Sequence, residues 1–177
     1  MKKKLNTKEL VIASLSIGLS QILSYIKIFE MPQGGSITAA SMVPIILFSL
    51  IFGVRKGLLA ATVYGFLQFL LGGSFVVHPL SFLMDYILAF GILGIAGVIK
   101  GDNNIKIIFA CLISCIGRFI ILVLSGALLW YSYAPEGMNP WWYSITYNAS
   151  YMIPETIITI VIILLIYKRI FKILKTV

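Results

Sequence analysis

The chain has 177 residues, of which 60% are hydrophobic and only 11% are charged, and its mean hydropathy is +1.02. Soluble domains are about half apolar and about a quarter charged, so the composition excludes a soluble domain and predicts one integral membrane domain over residues 1–177. The net charge of +8 would suit nucleic acid in a soluble chain. Here the basic residues gather at the ends of apolar runs, where they set topology, so we expect no nucleic-acid partner.

Six apolar runs predict an all-α membrane protein, a compact bundle of six transmembrane helices. Their approximate bounds are 7–28, 38–54, 57–72, 77–99, 105–131 and 148–171. The second and third are shorter than the roughly 20 residues that a helix needs to cross the hydrocarbon. They can cross only where the protein is thin or where neighbouring helices bury them. The first run is interrupted by serines and has no clear cleavage site, which indicates a retained helix and not a signal peptide.

The distribution of lysine and arginine predicts that both termini are cytoplasmic. Twelve of the fourteen basic residues fall at the termini and in the connectors that would then be inside. Lys27 lies in an outer connector and Arg118 lies within a run. The Gly34-Gly35 connector and the long loop 131–147 then share the outer face, as the capture of a solute from outside requires.

Glycine marks two places where another group can approach the backbone closely. Ser14 and Gly18 are four residues apart on the first run, a spacing that favours helix packing. The packing partner is either another helix of the chain or a separate protein. The pair Gly34-Gly35 either brings the backbone near a ligand or forms a plain turn.

Ionisable groups within a bilayer are costly, so each of them marks a candidate site. Asp85 lies in the fourth run, Arg118 in the fifth and Glu155 in the sixth. Their formal charges leave one negative charge, which a ligand with one positive charge would balance. The alternative is an internal ion pair of Arg118 with Asp85 or Glu155, and we expect Arg118 to be structural.

Each carboxylate shares a predicted helix face with other polar side chains. His78, Ser81 and Asp85 are spaced i, i+3 and i+7, which predicts one face. His78 precedes a proline at the start of a helix, a position more typical of an interfacial residue than of a ligand contact. The second face consists of Asn148, Tyr151 and Glu155.

Aromatic residues concentrate in residues 125–155, which hold all three tryptophans and five of the nine tyrosines. Aromatic faces beside acids suit a flat organic cation. An interfacial aromatic belt is the alternative. The belt explains Trp141 and Trp142 well, but it explains Asn148 and Glu155 poorly.

One face of the fifth run combines an aromatic ring with a glycine. Trp130 lies at its outer end, and the other members follow at i+4 steps: Gly126, Leu122 and Arg118. Gly126 either leaves a slot for a flat ring beneath Trp130 or permits close packing of another helix. The sequence supports both interpretations equally.

Motifs of catalysis and of nucleotide binding do not occur in the sequence. It has no G-x-x-x-x-G-K-[ST], no H-E-x-x-H and no G-x-S-x-G. Cys111 and Cys115 have no histidine partners, so we interpret them as packing residues. We therefore predict a binding protein without enzymatic activity, cofactor, metal or motor of its own.

Four stretches of the sequence together resemble a known family. They are PQGGSIT, FGVRKGL, HPLSFLMDYILAF and the run SGALLWYSYAPEGMNPWWYSITYNASYMIPE. In this order they are similar to the thiamine-specific substrate-binding (S) component of energy-coupling factor (ECF) transporters. The resemblance implies six helices, a thiamine site near the outer face, and docking on a membrane coupling protein with two ATPases. Some relatives are described as proton-coupled thiamine permeases that work alone.

The resemblance also implies which residues bind the vitamin. It implies a carboxylate–tyrosine pair, a stacking indole, a backbone contact and two polar contacts, which here are Asp85, Tyr86, Trp130, Gly126, Tyr143 and Asn148. Leu122 stands where the family's binding histidine is expected, and aspartate stands where the family often has glutamate. Ser14-x-x-x-Gly18 is the nearest equivalent of the family's Ala-x-x-x-Ala docking motif.

These expectations combine into a high-affinity thiamine-binding subunit of a bacterial plasma membrane, capturing thiamine, its phosphates or an analogue outside the cell. The two outer loops would act as lids. Release would require docking on the ATP-driven module through the first helix. The alternative is a stand-alone proton-coupled permease in which Asp85 or Glu155 carries the proton.

Overall fold

The computed structural model describes residues 6–72, 76, 78–101 and 103–176. These residues form six helices, one short hairpin and a single 3-10 turn at Tyr131–Tyr133. The helices are α1 Thr7–Tyr25, α2 Val43–Phe52, α3 Val54–Leu71, α4 Pro79–Val98, α5 Asn104–Leu128 and α6 Pro140–Thr176. The predicted all-α bundle of six helices is therefore confirmed. Three of them, α3, α4 and α5, are individually long and apolar enough to cross a membrane.

A hairpin replaces the predicted end of the first helix. Helix α1 ends at Tyr25, and β1 (Lys27–Glu30) pairs antiparallel with β2 (Ser36–Thr38). The predicted bounds 7–28 and 38–54 are therefore too wide, since the second helix begins only at Val43. Gly34 has φ of +94° in the turn, where glycine reverses the chain without strain. Hydropathy cannot distinguish a short apolar strand from the last turn of a helix.

The last helix begins earlier than predicted. Asn139 caps it, because its Oδ1 accepts a hydrogen bond of 2.9 Å from the Trp141 backbone N–H. Pro140 occupies the first helical position, where its missing N–H is not needed. The predicted start at residue 148 is therefore wrong, and the second half of the expected loop 131–147 is helical.

The short second helix is buried by its neighbours, which is one of the two possibilities that its length left open. Helix α2 has ten residues, and every side chain of its Val43–Ser49 stretch is buried. Its neighbours are α1, α3, α6 and the end of α4. The core consists mainly of apolar side chains with almost no exposed surface, among them Met42, Ile45, Ile46, Leu93, Ile107 and Ile163.

Helix α1 has the inverted pattern of a membrane helix. It buries three polar residues, Ser20, Gln21 and Ser24, whereas Leu15 is 67% exposed. Gly18 lies on the exposed side, and a methyl group added there would meet nothing within 4 Å. Within the described part of the chain, no helix therefore covers the Ser14–Gly18 face.

Helix α4 changes its winding along its length. Phe82–Leu88 is a π-helix and Ile92–Val98 is a 3-10 helix. His78 has the extended backbone of an N-cap residue and therefore lies just outside the helix, whereas Ser81 and Asp85 both lie within it. That the three side chains share one face stays a prediction. His78 is exposed and caps the helix, with Nδ1 accepting a bond of 3.1 Å from the Leu80 N–H.

Polar contacts tie the helices together at the end of the bundle away from the hairpin. Lys8 Nζ donates a hydrogen bond of 3.2 Å to the Leu174 carbonyl, which joins α1 to α6. Lys56 forms an ion pair with Glu9, which joins α3 to α1. The opposite end, which carries the hairpin, is called the hairpin end below.

Candidate functional site

A cavity of about 240 Å³ opens at the hairpin end. Ligand pockets for small molecules span roughly 300–1,000 Å³, so this volume suits one compact molecule. The hairpin and every helix except α2 contribute to its wall. The two unusual connectors of the sequence therefore meet at one site, as we expected.

One wall joins an acid to an indole. The Trp130 Nε1–H donates a hydrogen bond of 3.0 Å to Asp85 Oδ2, which links the end of α5 to the π-helical part of α4. The Tyr133 ring lies 5.5 Å from the Trp130 ring, centroid to centroid. Tyr86, the neighbour of Asp85, also lines the cavity and packs edge-on against Phe69 at 5.5 Å. This wall presents an anionic group beside aromatic faces.

The facing wall is a row of tyrosines on α6. Tyr143 and Tyr147 have ring centroids 5.9 Å apart, and Tyr147 and Tyr151 have centroids 6.0 Å apart. The buried Asn148 amide accepts a bond of 2.6 Å from the Tyr151 hydroxyl and donates one of 2.9 Å to the Ser144 carbonyl. These bonds fix Asn148 and Tyr151 in position within the wall.

Close packing explains Gly126. A methyl group at this position would overlap the Ser144 hydroxyl and would lie 3.5 Å from Asn148 Nδ2. Of the two interpretations that the sequence left open, the structure shows close approach of α5 and α6. Gly126 also lines the cavity. Its backbone thus forms part of the wall while the two helices touch.

The hairpin is fastened over the cavity by two side chains of α6. The Glu155 carboxylate accepts two hydrogen bonds of 2.6 Å from Thr38, one from its backbone N–H and one from its side-chain hydroxyl. The Tyr147 hydroxyl oxygen accepts bonds of 3.1 Å from the Gln33 N–H and 3.4 Å from the Gly35 N–H. A Cβ at Gly35 would lie 2.5 Å from the Tyr151 ring, so the backbone of the turn packs closely against α6. An approach of Gly34-Gly35 to a ligand stays a prediction.

The expected ion pair of Arg118 is not formed. Among the described residues, no carboxylate oxygen lies within 4.0 Å of its guanidinium. Its Cζ instead lies 4.0 Å from the centroid of the Phe90 ring. The prediction of a pair with Glu155 or Asp85 is wrong because the first carboxylate binds Thr38 and the second binds Trp130.

The charges that line the cavity leave a formal excess of one negative charge. Asp85, Glu155 and Arg118 all contribute to its wall. Lys27 and Glu30 lie at its mouth, where they form an ion pair of 2.6 Å and cancel each other. The electrostatic character expected from the sequence therefore holds, although the arginine stays apart from both acids.

The six residues that the resemblance implied all line this cavity, together with Leu122: they are Asp85, Tyr86, Gly126, Trp130, Tyr143 and Asn148. Their role as ligand contacts stays a prediction. Trp141 and Trp142 do not line it and are 44% and 64% exposed, so the belt interpretation fits them.

Sequence reasoning missed several residues of the wall. Tyr147 lies one turn from Tyr143 on the same helix, a spacing that could have revealed it. The hairpin residues gave no comparable signal. Within the described part of the chain, no three histidine, cysteine, aspartate or glutamate side chains come together as a metal site would need.

Comparisons with known proteins agree with this geometry. The sequence profile of the thiamine transporter protein family (Thia_YuaJ) matches residues 10–175. The thiamine transporter ThiT of Bacillus subtilis (strain 168) is 36% identical over 159 residues, which cover 83% of this chain and 82% of that protein. ThiT of Lacticaseibacillus paracasei is 30% identical over 132 residues, covering 64% of this chain and 66% of the relative.

A solved structure shares the fold. ThiT from Listeria monocytogenes superposes with a TM-score of 0.79 at 22% identity, covering 92% of this chain and 94% of that one. The family is one of transporters, so the expected class, transport and not catalysis, is confirmed. With a family profile spanning nearly the whole sequence, this multi-pass membrane protein belongs to the thiamine transporter protein family.

Proposed function

We propose that this chain is the thiamine-binding membrane subunit of an ECF-type uptake transporter. It captures thiamine at the extracellular face of the plasma membrane and releases it on docking to a coupling protein with two ATPases. The thiamine transporters of the same family support the substrate. The subunit role and the docking rest on the resemblance and on the arguments below.

The Asp85–Trp130 pair is the observation that carries the proposal. Its indole N–H holds the carboxylate at 3.0 Å in the wall of a cavity with a formal negative excess. An aromatic cation gains both from the carboxylate and from the ring faces around it. Thiamine is such a cation, with two flat rings joined by a single carbon.

The arrangement of the walls suggests how the vitamin lies. The aminopyrimidine ring stacks on Trp130, and Tyr143 and Asn148 form hydrogen bonds with the polar edge of that ring. The thiazolium ring then lies beside Asp85, between the two helices that carry the acid and the indole. The hairpin covers the cavity as a lid, held by Glu155 and Tyr147.

The exposed face of α1 is the proposed docking surface. Ser14 and Gly18 lie there among exposed apolar side chains such as Leu15, and a methyl group at Gly18 would meet nothing within 4 Å. A helix of the coupling protein can approach closely at such small residues. Both termini lie in the cytoplasm in this proposal, because Lys8 and Lys56 belong to the end away from the hairpin.

Titration and uptake together test the proposal. The purified chain should bind one thiamine per molecule at sub-micromolar concentration, and cells should accumulate thiamine only when the ATP-driven module is expressed with it. If neither thiamine nor its phosphates bind saturably, the proposed substrate is wrong. Uptake by the chain alone, abolished by an uncoupler, would instead support the proton-coupled permease.

A further inference from the structure

Arg118 has no assigned task at the inner end of the cavity. It lies on α5, ten residues before the end of the helix at Leu128, which is about 15 Å deeper at 1.5 Å per residue, and Trp130 follows that end. Its side chain lines the cavity, one helical turn below Leu122. Neither the resemblance nor the names of the relatives give it a role.

The guanidinium is held in position, but its hydrogen-bonding capacity is not used. Its Cζ lies 4.0 Å from the Phe90 ring centroid, a cation–π contact that favours this position of the group. The Nε atom is buried and has no hydrogen-bond partner among the described residues. No carboxylate of that part of the chain comes within 4.0 Å. A buried donor in this state needs an acceptor from elsewhere.

The Tyr64 hydroxyl, a polar neighbour of Arg118, already has two hydrogen-bond partners in the structure. The Tyr64 hydroxyl accepts a bond of 2.8 Å from Gln68 Nε2 and donates one of 3.3 Å to the Ser20 carbonyl. Leu122, where a histidine was expected, cannot form a hydrogen bond. The Arg118 guanidinium, whose Nε has no partner among the described residues, is therefore a donor that is open to a ligand.

We propose that Arg118 binds the oxygen at the far end of the ligand, so that the site selects an aromatic cation with a terminal oxygen and accepts its phosphate ester. This inference rests on the proposed function. With the rings at Asp85 and Trp130, the hydroxyethyl tail of thiamine points towards Arg118. The cavity then offers an acid to the cationic ring and a guanidinium to the oxygen. Guanidinium groups bind phosphoryl oxygens in a bidentate manner, which favours the ester.

Calorimetric titration of the full chain in detergent with three ligands tests this assignment. The ligands are thiamine, thiamine monophosphate and an analogue with ethyl in place of the hydroxyethyl group. We expect wild type to bind the ethyl analogue about tenfold more weakly than thiamine. Arg118→Met should weaken thiamine about tenfold and the monophosphate about a hundredfold, with less than about threefold change for the ethyl analogue.

Two further variants separate charge from geometry. Arg118→Lys keeps the charge but loses the bidentate fork, so the monophosphate should lie between wild type and Arg118→Met. Lys106→Met removes a basic residue that does not line the cavity, and all three affinities should stay as in wild type.

The outcomes distinguish this inference from the function on which it rests. Equal losses for all three ligands in Arg118→Met would indicate a structural role and overturn it, as would no loss at all. Equal binding of thiamine and the ethyl analogue by wild type would overturn it even if every variant misfolds. If wild type binds thiamine but Arg118→Met weakens the three ligands equally, only the role of Arg118 is contradicted. If wild type binds none of the three ligands, the proposed function is contradicted as well.

Discussion

Trp130 and Asp85 are joined by a hydrogen bond of 3.0 Å from the indole nitrogen to the carboxylate, although they are 45 residues apart in the chain. The bond ties the residue that follows the hairpin end of α5 to the π-helical part of α4. It fixes an aromatic face and a negative charge relative to each other. A ligand that needs both groups meets them already in place.

Trp130 should report ligand binding by its fluorescence. It is the tryptophan that lines the cavity, whereas Trp141 and Trp142 do not. We expect Trp130→Phe to abolish most of the saturable quenching by thiamine and to weaken binding about tenfold, because the phenyl face is smaller than the indole and the bond to Asp85 is lost. Trp142→Phe should keep the quenching. Quenching that survives in Trp130→Phe and disappears in Trp142→Phe would move the site to the aromatic belt.

Gly126→Ala should disturb the packing of two helices. The added methyl would overlap the Ser144 hydroxyl, so this hydroxyl must leave its bond to the Val123 carbonyl or α5 and α6 must move apart. Overpacking of this kind costs about 1–3 kcal/mol, and thermal unfolding in detergent should show a lower midpoint with weaker thiamine binding. The double variant Gly126→Ala/Ser144→Ala should recover part of the unfolding midpoint and part of the thiamine affinity, since it lacks the overlapping hydroxyl. Gly18→Ala is the matched control, because nothing lies within 4 Å of its added methyl. A normal midpoint and normal binding in Gly126→Ala would contradict the packing.

Tyr147→Phe should loosen the hairpin. The hydroxyl oxygen accepts bonds from the Gln33 and Gly35 N–H groups, and phenylalanine cannot replace it. Amide hydrogen exchange in residues 27–38 should rise several-fold, and thiamine should dissociate faster because the proposed lid opens more often. Tyr131→Phe, at a tyrosine 61% exposed, serves as the control. Faster exchange without faster dissociation would show that the hairpin does not act as a lid.

Gly18→Leu should uncouple binding from uptake. The new side chain would fill the small-residue face of α1, on which nothing of the described chain lies within 4 Å of the glycine. Thiamine binding should stay within about twofold of wild type, whereas uptake with the ATP-driven module should fall at least about tenfold, because close helix approach is blocked. Val161→Leu, on an exposed position of α6, should not affect either. Normal uptake in Gly18→Leu would assign docking to another face.

Regular helices made part of the site predictable. The i+4 steps from Trp130 down to Arg118 fall on one face because α5 is a regular helix, and all four residues line the cavity. The start of α6 was also encoded, since Asn139 followed by Pro140 is a helix-start signal. Hydropathy did not reveal this start, because the first turns of α6 are rich in aromatic and polar residues.

Other features depend on contacts that no local pattern carries. Glu155 binds Thr38 across 117 residues, so its preference for the hairpin over Arg118 could not be read from spacing. The π turn around Asp85 was not predicted either, since the i, i+3, i+7 spacing presumes a regular α-helix. The first strand of the hairpin has only four residues and follows α1 directly after Ile26, so its sequence pattern does not distinguish it from the end of that helix.

The central claim is that Asp85 binds a positively charged ring, and Asp85→Asn tests it most directly. Calorimetric titration should compare thiamine with an analogue whose thiazolium is replaced by a neutral ring. We predict that thiamine affinity falls about 30-fold or more, about 2 kcal/mol, because the asparagine amide keeps shape but lacks charge. The neutral analogue should change less than about threefold, and Glu136→Gln, in the outer loop, should change neither. Equal losses for both ligands, or no loss for thiamine, would contradict the account.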